Sequence, residues 1–494
     1  MMKTSGFISN KYHTAPFLYR IIYPSEIMDK KMIAIIAVIA VAIIAIAAAL
    51  VLMNGDKGDK DKKDSDIYQF EGRLPIFGNA NNDDYINADD IKFVEDVIAG
   101  KATAATLTVD RNYDTGNPTT ISMADANADG VVDSKDLQLV KDMVARKHGI
   151  TISYKNTDNV LSTCKYPLTS IGIAYKTTYE LAAAAGLTSK EVKWVCDSVG
   201  DVPGKGELRQ WYPQFHDAKC FGNRATPDYE SMNGDLPSCL ITGTKKYYLK
   251  TAEEVLGPRG VDIIRLPAYE GGWAIPGMLM LGYLTDNEAN AAKYVKMADS
   301  VYAPIAKHIK NIPMAERPFV FASHNASAVV GYGDGYIEPV VLAGAATAID
   351  LGYTKGNVDA EAIKEMNPQW ILLQPWHGIL EQIDNNSVTD TFKWDLNNLY
   401  NTANKGIQAI DHTQAYKDGK VMMNTQGVRL GAASFILTAY IANHIYPDVF
   451  NFDVKGLYDT YMKTYHPGVD ADQWFDYTYF DLAFAEKKRA ELQV

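Results

Sequence analysis

One helical pattern limits what this chain can become. From Asp286 to Ile312 apolar residues recur at Ala289, Ala292, Val295, Met297, Val301, Ile305 and Ile309, the spacing of a single helix face. Thr285-Asp286-Asn287-Glu288 fits a capping box at its start, and Pro313 ends it. A helix over that stretch would run about 40 Å, which suits a strut between two bodies; the alternative is an ordinary long surface helix. On both sides of it the pattern alternates between strands and helices. Before it, Ile150–Tyr154, Val192–Val199, Cys239–Thr242 and Val261–Leu266 read as strands, with helices over Thr178–Ala185 and Lys250–Leu256. After it, Phe319–Ala322, Trp370–Gln374 and Val421–Asn424 read as strands, with helices over Ile337–Ala348 and Ala432–His444. Alternation of this kind predicts parallel sheets with crossover helices, one on each side of the strut.

The two series echo each other. Glu230 is followed by Pro237 and a buried strand, and Glu361 by Pro368 and a buried strand. With Thr226-Pro-Asp-Tyr-Glu230, Leu281-Gly-Tyr-Leu284, Asp359-Ala-Glu361-Ala-Ile-Lys-Glu-Met-Asn367-Pro368, Tyr416-Lys-Asp-Gly-Lys420-Val421 and Ile445-Tyr-Pro447-Asp-Val-Phe450, residues 150–494 resemble the periplasmic-binding-protein class with a helical backbone. These are receptors of ABC importers for iron chelates, haem and cobalamin. The resemblance implies an α/β fold of two Rossmann-like lobes, 150–284 and 314–494, joined by a backbone helix over 285–313. It also implies a metal-chelate ligand (siderophore, haem or corrinoid) between the lobes, and docking onto an ABC permease through Glu230 and Glu361. Both carboxylates equally suit helix N-termini. Gln369 and Ser238 stand where the class usually has Asp after the Pro.

Upstream, residues 125–136 place oxygen-bearing side chains at Asp125, Asn127, Asp129, Asp133 and Asp136, with Gly130 at the turn. A weaker copy sets Asn79, Asn81, Asp83, Asn87 and Asp90 at the same positions, with Asp84 in place of the glycine. Six to eight oxygens around a sharp turn is how a chain holds Ca2+; the plainer reading is a solvated acidic loop. Each loop runs into an apolar-periodic stretch, Ile91–Ala99 and Leu137–Val144. The pair resembles the duplicated EF-hand-like repeat of type I dockerins, which implies a small α-helical calcium module over 67–149 and a cohesin-like partner, or else a self-contained spacer. The copies start at 79 and 125, farther apart than the family's repeats, so residues 101–120 read as an inserted excursion.

Met32–Met53 carries no charged residue and would span roughly 33 Å as a helix, enough for a bilayer core. It reads as a transmembrane anchor after a cytoplasmic segment 1–31, of which 1–27 reads as an upstream extension if Met28 is the start. A charged linker 54–66 follows. The calcium loops orient the bulk of the chain outside the cell, so the expectation is a single-pass plasma-membrane protein; a cleaved signal peptide with Ala47-Ala-Ala49 at its end competes. A formal charge of −12 argues against nucleic acid as a partner. The four cysteines, Cys164, Cys196, Cys220 and Cys239, form no C-x-x-C pair, which disfavours zinc-ribbon and redox roles.

Ligands of two-lobed receptors sit on loops at strand ends. The candidates for stacking and charge are Arg209, Trp211, Tyr212, Trp273, Tyr332, Trp376 and Arg429, with His216, Tyr269, Glu270, His324 and His377 nearby in sequence. Aromatic faces with one or two arginines suit a large, flat or anionic metal chelate; a bare-metal site from His216, His324 and His377 is the lesser alternative. No Gly-x-Ser-x-Gly, P-loop or His-Glu-x-x-His motif is present, so the chain is read as a binding protein and not an enzyme. The competing readings are a surface scaffold protein attached through the dockerin-like module, and an enzyme related to metal chelatases.

Overall fold

The computed structural model describes residues 72–113, 116, 118–174, 176–196, 212–223, 226–268, 274–323, 328–329, 336–354, 356–374, 392–393, 396–397, 399–400, 407–424, 431–467 and 469–493. All of these belong to one compact unit, Asp64–Val494. The expected anchor, Met32–Met53, and its flanks lie outside the described residues. Among the described residues no helix is long and apolar enough to cross a membrane.

The chain first builds two loop–helix units. Helix α1, Ala88–Ile98, and helix α2, Ser134–Val144, start from Asn87 and Asp133, and each closes a full capping box with the acid three residues on, Asp90 and Asp136. Between them the excursion folds as an antiparallel hairpin, β1 Thr106–Asp110 and β2 Pro118–Ser122. A second hairpin follows, β3 Thr151–Lys155 and β4 Leu161–Lys165. It is stitched to the first unit by Phe77 N donating to Ser153 O at 2.9 Å and Lys155 N to Pro75 O at 3.0 Å.

The first lobe is a fully parallel five-stranded sheet. In chain order it runs β5 Ile171–Ile173, helix α3 Lys176–Ala184, β6 Val192–Val195, β7 Lys219–Cys220, β8 Cys239–Thr242, helix α4 Ala252–Val255 and β9 Asp262–Arg265, in the order β7-β6-β5-β8-β9. Cys239 and Ile241 face one core and Leu240 the other, the two-sided burial that leaves parallel strands without polar alternation.

Two helices then lead across. Helix α5, Ala274–Leu284, is buried at nearly every position, so it carries no amphipathic stripe to read. Helix α6, Glu288–Ile309, is the anticipated strut, somewhat shorter than its sequence pattern. The expected capping box does not form: Asp286 takes φ +57°, Asn287 caps without a side-chain bond, and Thr285 Oγ1 closes α5 by donating to Leu281 O at 2.7 Å. The chain breaks between two helices there. One face of α6 (Tyr294, Val301, Ile305, Ile309) enters the continuous core that spans α5, α3 and the second lobe.

The second lobe continues with β10 Val320–Ser323, β11 Ala328–Val329, α7 Glu338–Leu342, β12 Gly356–Asn357, α8 Ala360–Met366, β13 Trp370–Leu373, α9 Gln414–Lys417, β14 Val421–Asn424, α10 Ser434–Ile445, α11 Val454–Tyr465, α12 Ala471–Thr478, β15 Tyr479–Asp481 and α13 Leu482–Leu492. The order is β10-β13-β14-β15, parallel except for β15. The helix expected over 337–348 ends at Leu342. Gly344 turns left-handed there (φ +87°) with no room for a side chain against Ile309 of α6, and Ala346 then pairs with Phe319.

Candidate functional site

Because β5–β9 in one sheet and β10, β13 and β14 in the other run parallel, the C-terminal ends of each set share one edge, where crossover connections leave an opening for ligands. In sequence, Arg209 and Trp211 follow β6, Trp273 follows β9, Tyr332 follows β11, Trp376 follows β13 and Arg429 follows β14. All six, with Tyr269, Glu270, His324 and His377, lie outside the described residues. Two expected site residues are placed. His216 is exposed beside the turn Pro213–Phe215. Tyr212 is a correction: it is 2% exposed, and its hydroxyl donates to Glu180 Oε2 at 2.6 Å. It packs against Tyr179, Phe215 and His466 and offers no face to a solute.

The strand ends from which the candidate loops spring are polar and buried. In the second lobe Ser323, Gln374 and Asn424 close or follow β10, β13 and β14, each with no exposed surface. Gln374 donates its N–H to Ser323 O and its Nε2 to Tyr336 O, both at 2.8 Å. Asn424 Nδ2 donates to Thr478 O at 3.1 Å. In the first lobe Arg265 ends β9, fully buried, and ties down the loop after β8 by donating to Gly243 O, Tyr248 O and Leu249 O, while Glu253 takes its other two N–H groups. Buried polar groups must be paired, so these residues fix the backbone from which the loops spring. The sequence signal was a hydrophilic residue closing each short apolar strand.

A second buried cluster joins distant elements. Glu180 on α3 accepts from Tyr212, from the Tyr461 hydroxyl of α11 and from His466 Nε2 at 2.8 Å. Burial alone would raise its carboxyl, but the His466 charge and three hydrogen bonds outweigh burial and hold it below the ordinary range. Its partners are 32 to 286 residues away, beyond any local pattern.

The expected docking carboxylates take matching positions. Glu230 stands in the turn Tyr229–Met232 behind Asp228, whose side chain accepts from Ser231 N. Glu361 stands in the first turn of α8 behind Asp359, which accepts from Ala362 N. Each is exposed and precedes its strand by the same interval, 230 to β8 at 239 and 361 to β13 at 370. The capping work is done by the aspartates, leaving Glu230 with Asn233 and Glu361 with a loose 3.9 Å pair to Lys364.

The two acidic loops share one hydrogen-bond plan. Asp90 accepts from the N–H groups of Asn81 and Asn87, and Asp136 from those of Asn127 and Asp133. Asn81 and Asn127 accept from Asp83 N and Asp129 N, and those aspartates accept from Tyr85 N and Val131 N. Asn82 and Ala128 both turn left-handed, at φ +63° and +57°. The first ligand position differs: Asp125 accepts from Asp129 N and Gly130 N, whereas the buried Asn79 gives Nδ2 to Leu74 O and Asp83 O and leaves Oδ1 without a donor. Burial pushes Asp90 up to about 6 and raises Asp125 as well. The carboxylates turn toward backbone N–H groups, and among the described residues no three His, Cys, Asp or Glu side chains converge as a metal cluster. A carboxylate oxygen can accept an N–H and still ligate. An all-oxygen donor set, two buried carboxylates discouraged from ionising and a donorless buried amide oxygen fit a hard cation.

Residues 201–398 match the model of a family described as periplasmic binding protein. No curated protein matches the chain. Among solved structures, a TroA-like periplasmic binding protein FepB from Veillonella parvula is 13% identical with a TM-score of 0.50, covering 63% of this chain and 95% of its own. Helicobacter pylori CeuE, solved as a nickel–histidine complex, is 16% identical with a TM-score of 0.46, covering 65% and 98%. A periplasmic haem-binding protein from Pseudomonas aeruginosa is 18% identical with a TM-score of 0.40, covering 58% and 95%. The α/β body of this chain has the fold of the periplasmic binding proteins whose two lobes are joined by a helical backbone, and its residues 201–398 are similar to the family described as periplasmic binding protein.

Proposed function

We propose that this chain is an extracytoplasmic solute receptor of an ABC importer. It binds an iron chelate, haem or corrinoid between its lobes and delivers it to a permease, tethered to the membrane through Met32–Met53. One observation carries the reading: two parallel sheets flank a shared strut, and each presents a polar-anchored strand-end edge followed in sequence by aromatic and Arg residues. The strut is packed along its length against both lobes, so closure is a matter of a few degrees. Glu230 and Glu361 are the docking pair, exposed and freed from capping. Reversing both (Glu230→Arg with Glu361→Arg) is expected to abolish solute uptake in cells while leaving solute affinity of the purified protein within about twofold, since exposed charges far from a site move its free energy little. Uptake at the wild-type rate would remove the docking assignment.

The two acidic loops are calcium sites within the same reading, Asn79, Asn81, Asp83, Asn87 and Asp90 in one and Asp125, Asn127, Asp129, Asp133 and Asp136 in the other. Bound Ca2+ supplies a counter-charge that lets the buried carboxylates ionise. Chelation with EGTA is expected to lower the melting temperature, and Asp125→Ala to reproduce part of that loss. An unchanged melting curve in both experiments would mean that the loops hold no cation.

A further inference from the structure

The first loop breaks its own pattern at Asp84, where the second has Gly130. Gly130 uses a left-handed turn (φ +101°) and gives its N–H to Asp125. Asp84 instead takes the guanidinium of Arg73, whose Nε donates to Oδ1 at 3.0 Å and whose Nη2 pairs with Oδ2. Arg73 is 5% exposed, and its Nη1 reaches both oxygens of Asp299, at 2.9 and 3.0 Å. Asp299 lies midway along α6. One buried cation thus bridges the acidic loop to the centre of the strut.

The second unit grips the same region at its start. Arg146, just beyond α2, pairs with Glu288 at the first turn of α6 and lies 4.3 Å over the Tyr283 ring, and Tyr283 donates to Met143 O at 3.3 Å. An open pocket of about 220 Å³ lies beside the contact, lined by Leu74, Asp84, Ile86, Arg146, Glu288 and Ala291. The bridge adds to apolar contact, since Leu74 and Ile86 share one buried core with Leu279 and Ala291.

We infer that cation occupancy of the first loop controls the rigidity of α6 through the Asp84–Arg73–Asp299 bridge. The inference rests on the calcium reading above. Asp83 and Asp84 are adjacent, so a cation held by Asn79, Asn81, Asp83 and Asp90 fixes the backbone that presents Asp84. Asp84 then fixes Arg73, which reaches Asp299. Without the cation, loop carboxylates repel one another and the presenting turn loosens, so the bridge loses its geometry. A change at the loop becomes a change in how the two lobes are held.

Hydrogen exchange on the full-length protein tests this, with Ca2+ binding to the same samples measured separately by calorimetry. Saturating Ca2+ is expected to slow exchange of amides in 288–309 by a factor of about ten relative to EGTA, the scale of a local opening equilibrium shifted by one tethering contact. Arg73→Leu should keep calcium binding and lose that slowing; Asp299→Asn, a gentler change, should reduce it several-fold if Arg73→Leu fails to fold. Calcium binding with unchanged exchange over 288–309 in the wild type, or full slowing retained in the variants, overturns the bridge and leaves the calcium sites standing. Absence of calcium binding overturns both.

Discussion

Glu180→Ala is expected to destabilise the protein by about 3–5 kcal/mol, the range for removing one partner of a buried ion pair. The carboxylate is 5% exposed and receives Tyr212, Tyr461 and His466. Alanine leaves a fully buried imidazole and two buried hydroxyls without their acceptor. The three partners come from the first lobe and from the C-terminal helices, so the loss falls on the junction between them. The sign with pH follows from the depressed carboxyl. Its contribution is complete above the unfolded value of about 4.3 and is lost as pH falls through the lower folded value. Urea unfolding of wild type and Glu180→Gln should therefore show a stability gap at neutral pH that narrows below about pH 4. A gap independent of pH would mean that the carboxylate is not held ionised by His466.

Arg265→Leu should produce a loss of similar size, about 3–5 kcal/mol, for a related reason. The guanidinium has no exposed surface and donates to Glu253 at 2.6 and 2.9 Å and to three carbonyls in 243–249. Glu253 is partly buried, which would raise its carboxyl, but Arg265 outweighs this and holds it below the usual range. Leucine fills most of the volume yet strands three buried acceptors and leaves Glu253 only Lys245 as an ion-pair partner among the described residues, at 3.6 Å. Arg265→Lys keeps the charge but not the planar fork, so it should fall between wild type and Arg265→Leu. Denaturant midpoints order the three proteins. Equal stability of Arg265→Leu and wild type would show that water satisfies the carbonyls of Gly243, Tyr248 and Leu249.

Much of the fold was readable in advance because its strands are short, apolar and bounded. The strands expected at Cys239–Thr242 and Val421–Asn424 match β8 and β14 residue for residue, and of the strut's expected face Val295, Val301, Ile305 and Ile309 are buried while Ala289 is exposed. Helix α5 escaped because a helix buried all round has no period to detect. The long helix expected over 337–348 stops at Leu342 because Gly344 takes the left-handed position just past the cap, a local stop signal that the apolar run through Ala348 masked, and contact with Ile309 of α6 leaves no room for a side chain there. Tyr212 looked like a stacking residue because an aromatic in a loop carries no sign of burial. Only the fold brings Glu180 to it. Asp84 looked like a defect in a calcium motif until Arg73 and Asp299 supplied its partners. Such pairings join residues far apart in the chain, and spacing rules reach only a few positions.

Native mass spectrometry of the purified full-length protein, titrated in turn with a ferric siderophore, haem and a corrinoid, tests the receptor reading most directly. The purified protein is expected to form a 1:1 complex with one of these chelates at about micromolar affinity or tighter, weakened by Arg429→Ala and Trp376→Ala. Failure of all three to bind would contradict it.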